Sequence, residues 1–578
     1  MRWLMQEVDA ECARRLSGEL GVSPLLGRLL LLRGLAGAEE ARRFLRPEIG
    51  HLHDPLQMRG MEAAVGRILQ AAERGEKILV YGDYDVDGSL AAVILQTALT
   101  LLGAAAQPFI PHRMRDGYGM REEVLEQAQR EGYSVVISVD TGIRAFGVVE
   151  RARELGLDCI ITDHHLPDTA PGTSHGIPRA LAVLNPKQPH CTYPDKNLCG
   201  AGVAFKLVQA LLEAREADAA RRERLLASFL KLVAIGSIAD SVPLVGENRV
   251  IAGLGLKGLL TPANHGLKAL LEVAGLEGKA VSTVDVGFRL APRINAAGRM
   301  ESARDVIDLF TSAGPERARE IAEKLNRLNT ERQQAEQGIL DEIEKLSTEE
   351  PARFADLCLV LDGEGWHRGV IGIVASRMVD RFQRPALVIA CEDGIGYGSG
   401  RSIERFHLLD ALTACQEVFD RFGGHAQAAG FALPVERIPE LRRRLNDYAA
   451  SRLGAEDLVP ELKIDAEISF SDLTPELLEE LELLAPHGIG NPRPVFCARE
   501  ARLLGQPRLL KEKHLKMQVT QQGRTITVVG WRKGDWIERL HPPDGSLDLA
   551  FHLGTNHYQN LTTMQLELLD LAVGSDSK

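Results

Sequence analysis

Four acidic signatures stand in a fixed order in this chain: GDYDVDG at 82–88, SVDTG at 138–142, TDHH at 162–165 and SIAD at 237–240. Each directly follows an apolar run (KILVY, SVVI, LDCII and KLVAI), and the first three runs are short and β-rich. In an open parallel α/β sheet, the loops leaving the carboxyl ends of the strands converge on one crevice. Asp83, Asp85, Asp87, Asp140, Asp163, His164, His165 and Asp240 are therefore expected to meet there. So many carboxylates raise one another's pKa unless cations neutralise them. An oxygen-rich set with one or two imidazoles suits Mn²⁺ or Mg²⁺ better than a thiolate-seeking metal. The chemistry to expect is two-metal hydrolysis of a phosphoester.

Asp140 is the expected bridge, since a carboxylate offers two oxygens to cations about 3.5–4 Å apart. Asp83 and Asp85 then complete one metal site, and Asp87, His164 and Asp240 the other. Asp163 is expected to orient His164 through its second ring nitrogen, leaving His165 to face the scissile phosphate as a donor. Blander readings compete. DYDVDG opens like an EF-hand loop, but position 12 would be Ile94 where a bidentate Glu is required, and a strand precedes it. A single Asp after a strand is ordinarily a helix N-cap. It is the four sites in one order, within one α/β segment, that argue against coincidence.

Those four signatures together resemble the DHH phosphoesterase superfamily. The distal pieces PRINAAGRM (292–300), GWHRGVIGIVASR (365–377), GSGRSI (398–403) and FGGHAQAAGF (422–431) are similar to the branch of that superfamily that degrades single-stranded DNA. The similarity spans about 60 to 575. It implies a metal-dependent 5′→3′ exonuclease that releases mononucleotides in DNA repair and recombination. It also implies two divalent cations, Mn²⁺ or Mg²⁺, and single-stranded DNA as partner, with a single-stranded-DNA-binding protein and a helicase as further partners. Smaller superfamily members carry a His four residues before the second Asp of the first motif. This chain has Tyr81 there, which leaves Asp83 as the substitute ligand.

Arg293, Asn295 and Arg299 lie in a Gly- and Ala-rich stretch read as a turn, where backbone can approach a ligand. The resemblance assigns Arg299 to the phosphate oxygens that gain charge during reaction. Ser399 and Arg401 sit among small residues, a phosphate-cradling composition, and His425 lies beside two glycines. Arg113, in IPHRMRDGYG, is a partner for Arg401 at a 5′-phosphate, with Tyr118 stacking on a terminal base or sugar. A second function class stays open: a phosphodiesterase of the same superfamily acting on short oligonucleotides or cyclic dinucleotides. The residues after 460 argue for a polymer.

The 578 residues exceed one core and suggest several domains. The fold class expected is α/β: a doubly wound parallel-sheet domain, a long connecting helix, a second smaller α/β domain and a C-terminal OB-fold β-barrel. The boundaries read as a helical segment over 1–55, a DHH catalytic domain over 56–313 and a connecting helix over 314–350. A DHHA1-like domain binding the 5′ end follows over 351–457, then the single-strand-binding barrel over 458–578. The net charge of −12 argues against a wholly basic DNA-binding surface. Between Arg499 and Lys533, however, nine Lys/Arg face two Asp/Glu, a balance of +7. Arg508, Lys511, Lys513, Lys516 and Arg524, with Trp531 nearby, could grip a single strand by charge and stacking; a merely solvated basic hairpin is the alternative. Eight cysteines show no CxxC pair, and Cys191, Cys199 and His190 fall short of a zinc set. The run at 24–35 is broken by Arg28 and Arg33, so it reads as an amphipathic helix and the protein as cytoplasmic, with no membrane partner.

Overall fold

The computed structural model describes residues 1–113, 115–117, 119–168, 176–540, 546–558 and 561–573. The run KILVY forms the strand Lys77–Tyr81, whose side chains alternate between two apolar layers. Ile78 and Val80 pack with helices Met61–Arg74, Val86–Leu101 and Gly200–Arg215. Leu79 and Tyr81 pack on the other face with helices Glu122–Arg130 and Phe146–Glu154. Five parallel strands lie in the order Ala105–Phe109, Lys77–Tyr81, Tyr133–Val139, Asp158–Thr162, Ala182–Leu184. From Lys77–Tyr81 the chain first steps outward to Ala105–Phe109 and then returns to the opposite side. The crossovers therefore diverge between Lys77–Tyr81 and Tyr133–Val139, where a doubly wound sheet leaves its crevice.

The stretch read as a turn at 292–300 is instead the helix Ala291–Met300, entered from a π-helical turn at Val286–Leu290. Its small residues serve close packing: a Cβ on Gly298 would lie 2.4 Å from the Tyr84 carbonyl oxygen. The connector is one helix, Pro315–Glu349. Its first half buries Ile321 and Leu325 in the catalytic lobe's core, and Ile339 and Ile343 belong to the core of the second lobe. That lobe is a mixed sheet ordered Arg421–Gly424, Ala428–Pro434, Ile395–Arg401, Ala386–Glu392, Leu359–Glu364.

In the C-terminal region the strands Phe496–Leu510, His514–Gln521, Arg524–Gly530, Leu561–Val573 and Ser546–Tyr558 pair in that order. The last pairs back to the first, closing a five-stranded barrel as expected. Phe496–Leu510 is invisible to alternation because Gly505 and Pro507 interrupt it, and its register shifts between Leu504 and Arg508.

The N-terminal segment is helical as expected over Ala10–Leu20, Pro24–Leu32 and Ala38–Leu45, and adds one strand. Residues Arg2–Met5 form a strand parallel to Glu461–Ile464, too short to declare itself by periodicity. Helix Pro24–Leu32 buries Leu26, Leu29 and Leu30 in the same core as the barrel residues Phe496 and Phe551. The helices of this segment thus pack with the barrel, while Ile49 and Leu52 pack against the catalytic lobe's core. Among the described residues, no helix is long and apolar enough to cross a membrane.

Candidate active site and metal centre

The carboxyl ends of the central strands present the acids. Asp85 caps the helix Val86–Leu101, accepting from Gly88 N at 3.0 Å. Asp87, in that helix's first turn, accepts from Gly200 N at 2.6 Å and Ala201 N at 2.9 Å, the opening amides of Gly200–Arg215. Asp140 follows strand Tyr133–Val139 with φ of 60°, a left-handed conformation that Asp and Asn adopt more readily than most residues. A Cβ on Gly200 would lie 2.5 Å from that of Asp140, so glycine is what lets this helix end approach. His164 follows Asp158–Thr162, and Asp240 caps the carboxyl end of Ala219–Ala239.

Three groups could each hold a metal ion: Asp83 with Asp85 and Asp140, Asp87 with His164 and Asp240, and Asp140 with His164 and His165. In each, the ligand atoms lie within 4.8 Å of one another. His164 Nε2 is 3.1 Å from Asp140 Oδ1, 3.8 Å from Asp240 Oδ2 and 4.0 Å from Asp87 Oδ2. Burial, and after it the neighbouring carboxylates, hold Asp83 and Asp140 well above the usual range. The same causes push Asp240 to about 8, while burial pushes His164 down to about 4, leaving a neutral imidazole. Asp83 Oδ1 and Asp140 Oδ1 are buried without a hydrogen-bond partner. Orphaned carboxylate oxygens, a neutral imidazole and unrelieved negative charge are what a pair of hard divalent cations would satisfy. The donor set fits them.

Asp163 does not orient His164. Its Oδ1 accepts from His165 Nδ1 at 2.7 Å and from the His164 and His165 amides, and its Oδ2 accepts from Ile143 N at 2.9 Å. Strand geometry explains the correction, because the carboxylate turns back over its own loop and meets the second histidine. Burial opposes ionisation of both partners, yet their contact overcomes it. Asp163 is held below its ordinary value and His165 above it. Tyr81, at the position where smaller relatives carry His, points into the opposite core layer and donates to Gly119 O.

Across the crevice lies a group of arginines. Arg299 donates through Nη1 to Gly369 O of the second lobe at 2.8 Å. Burial and the charges of Arg113, Arg332 and Arg401 push it down to about 10. Arg113 stacks over Tyr84 at 4.9 Å. Arg401 donates to Ser399 Oγ at 3.2 Å, and a Cβ on Gly372 would lie 3.0 Å from that oxygen. Ser399 and Arg401 thus face the first turn of helix Ile371–Phe382, an end whose free amides favour negative charge. Asn295 lines a cleft of about 710 Å³ with Arg299, Arg332 and Phe288. His425 lines another of about 410 Å³ with His165 and Asp163. Arg293 is not brought in: it is consumed by Asn326 and the carbonyls of Arg289 and Val273. Tyr118 lies outside the described residues.

On the barrel, Leu515, Met517 and Val519 point inward, and Lys516 projects outward opposite Arg508. Lys511, Lys513 and Lys516 are exposed, and Trp531 stands edge-on to His514 at 5.0 Å. Arg524 is instead tied to the carbonyls of Ser471 and Leu473, which removes it from the free basic face.

Sequence reasoning passed over Lys187. It follows the fifth strand, Ala182–Leu184, so the rule that found the acids reaches it too. Burial lowers its pKa against the pull of Asp240 and Asp163. Its neighbour Asn185 holds the His165 carbonyl at 2.9 Å. Arg332, on the connecting helix, carried no local signal at all.

Comparison with known proteins gives the same order of domains. The DHH family N-terminal domain matches residues 77–237, the DHHA1 domain 355–451 and the RecJ OB domain 464–570. The chain is 39% identical to the single-stranded-DNA-specific exonuclease RecJ of Bacillus subtilis, over 99% of this chain and 71% of that one. The chain belongs to the RecJ family. The crystal structure of RecJ in complex with Mn²⁺ from Thermus thermophilus superposes with a TM-score of 0.83 at 30% identity. It covers 99% of this chain and 79% of that one. The Mg²⁺ complex of the Thermus RecJ gives 0.76 at 29% identity, covering 99% and 78%.

Proposed function

We propose that this chain is a RecJ-type exonuclease that hydrolyses single-stranded DNA from its 5′ end to mononucleotides with two divalent cations, Mn²⁺ or Mg²⁺. The observation that carries the proposal is a buried carboxylate cluster, with orphaned oxygens, lying within electrostatic reach of the arginine group of Arg113 and Arg299. When bound, the cations supply Lewis acidity and a water nucleophile at neutral pH. Asp83, Asp85 and Asp140 would hold one, and Asp87, His164 and Asp240 the other, with Asp140 between them.

Against burial, Asp163 raises the proton affinity of His165 and fixes its ring, which favours His165 as a donor to the substrate phosphate. Arg299 stabilises the non-bridging oxygens as their charge grows. Ser399, Arg401 and the start of Ile371–Phe382 receive a 5′-phosphate, with Arg113 nearby, which sets polarity by anchoring the end. His425 closes the wall beside His165, and Asn295 faces the strand in the larger cleft. Lys511, Lys513 and Lys516 hold the strand further along. The exposed basic barrel favours a polymer over a dinucleotide. We extend the proposal to the domain boundaries expected from the sequence and to a cytoplasmic setting in DNA repair and recombination. A single-stranded-DNA-binding protein and a helicase would be partners there, which co-purification with the full chain checks.

Digestion of single- and double-stranded DNA labelled at either end, with Mn²⁺, Mg²⁺ or EDTA, tests the reading. Mononucleotide release from the 5′ end of single strands alone, abolished by EDTA, is the expected result; release from 3′ ends would refute it.

A further inference from the structure

Away from the acids, one ion pair is fully enclosed. Lys206 and Glu247 have no exposed side-chain surface, and Lys206 Nζ donates to Glu247 Oε1 at 2.8 Å. Among the described residues, no other ion pair leaves both side chains without any exposed surface. Its remaining capacity is filled: Lys206 also donates to His53 O and Gln209, and Glu247 accepts from His53 N and the Tyr193 hydroxyl. Glu247 N in turn donates to Asp195 Oδ2 at 2.9 Å, and Asn248 donates to Asn197 O at 2.7 Å. Removing two charges from water is costly, and apolar residues of the same volume commonly give equal or greater stability. The worth of such a pair lies in fixing geometry.

What it fixes is one group of acids. Lys206 lies on helix Gly200–Arg215, whose first two amides hold Asp87. Glu247 lies in the first turn of helix Gly246–Gly258, reached from Asp240 by a crossing that includes Ser241 at φ of 60°. The chain from Tyr193 to Asn197, stitched to that crossing and to Glu247, runs directly into Gly200. Asp87 and Asp240 both face His164 Nε2, at 4.0 and 3.8 Å, so the placing of these two elements sets their separation. Asp83 and Asp85 share with Asp87 the loop after strand Lys77–Tyr81, and Asp140 follows Tyr133–Val139, but of these four it is Asp87 that the opening amides of Gly200–Arg215 hydrogen-bond.

We propose that the Lys206–Glu247 pair, with Tyr193, is a positioning device that sets the separation of Asp87 and Asp240, and hence the cation affinity of the Asp87, His164 and Asp240 group. The proposal rests on the two-cation reading of the site.

The double variant Lys206→Met with Glu247→Leu, in the full chain, replaces the pair by apolar volume. Calorimetric titration of Mn²⁺ into the metal-free protein should show two sites, one unchanged and one weakened about tenfold, the lower end of the range for groups acting behind metal ligands. Excess Mn²⁺ should restore hydrolysis with an unchanged KM for single-stranded DNA, and metal-free unfolding should stay near that of the parent. Tyr193→Phe keeps the pair, removes one hydrogen bond, and should weaken the same site by a smaller factor; it decides the matter where the double variant does not fold. Unchanged affinity at both sites in a folded variant, or equal weakening of both, would overturn the proposal. A parent chain binding a single Mn²⁺ would instead overturn the two-cation reading beneath it.

Discussion

His165 and Asp163 are joined side chain to side chain, His165 Nδ1 donating to Asp163 Oδ1 at 2.7 Å, while His164 turns its Nε2 to Asp140, Asp87 and Asp240. The adjacent histidines thus face different partners, and in the proposed function His165 serves the substrate and His164 the metal. Asp163→Asn should therefore lower kcat about 10–100-fold, the usual cost of losing such an orienting partner. Mn²⁺ affinity should hardly change. Calorimetry alongside single-turnover rates checks this, and a loss of affinity with normal rate at saturating Mn²⁺ would reverse the assignment.

Stability should depend on pH in a direction set by the raised carboxylates. A carboxyl raised in the folded state binds protons there that the unfolded chain has released, so stability falls as pH rises between the two values. For Asp240 that window runs from its ordinary value near 3.8 up to about 8. Asp83 and Asp140 act in the same direction. In EDTA the melting temperature should fall from pH 5.5 to pH 8, by about 1 °C for each kcal/mol lost in a chain of this size. Mn²⁺ should stabilise more at pH 8 than at pH 5.5. A metal-free melting temperature that rose across this window would count against a cluster lacking its cations.

Arg401→Ala removes a charge-assisted phosphate contact, worth about 1.5–3 kcal/mol. The KM for 5′-phosphorylated oligonucleotides should rise about 10–100-fold, with a smaller change for 5′-hydroxyl ends. Equal losses on both would place Arg401 outside a 5′-phosphate pocket.

Replacing Lys511, Lys513 and Lys516 together by Ala should weaken binding of long single strands. The slope of log K against log salt should flatten by about 2, at about 0.7 for each phosphate no longer neutralised. Cleavage of very short oligonucleotides should be spared. Unchanged affinity and slope would make the barrel a docking module for another protein.

The doubly wound sheet, the connecting helix and the acids were legible because Asp83, Asp140 and Asp163 each follow a short continuous apolar run, the mark of a buried parallel strand, and Asp240 ends an apolar helix. Their convergence needed only the rule of carboxyl ends. Other features were illegible for identifiable reasons. Ala291–Met300 read as a turn because Gly298 and its alanines look like loop composition, yet they allow contact with Tyr84. The partner of Asp163 depends on how one side chain folds back, which no spacing encodes. Arg293 and Arg299 share one helix and look alike in sequence. Only packing shows that the first is held by Asn326 while the second spans to Gly369. The strand Arg2–Met5 finds its partner about 460 residues away, beyond any local signal.

The central claim is that Asp140 joins two cation sites, and one substitution addresses it without straining the chain. At φ of 60° Asn is tolerated where Ala is not, so Asp140→Asn keeps the backbone while removing the shared charge. Titration of Mn²⁺ into parent and variant, with hydrolysis of 5′-labelled single-stranded DNA measured on the same samples, reads both consequences. The account predicts two Mn²⁺ per parent chain, loss or marked weakening of at least one in the variant, and a rate reduced about 100-fold or more, in the range seen when one key electrostatic group is removed from an active site. Two ions bound at parent affinity, with the parent rate, would contradict it.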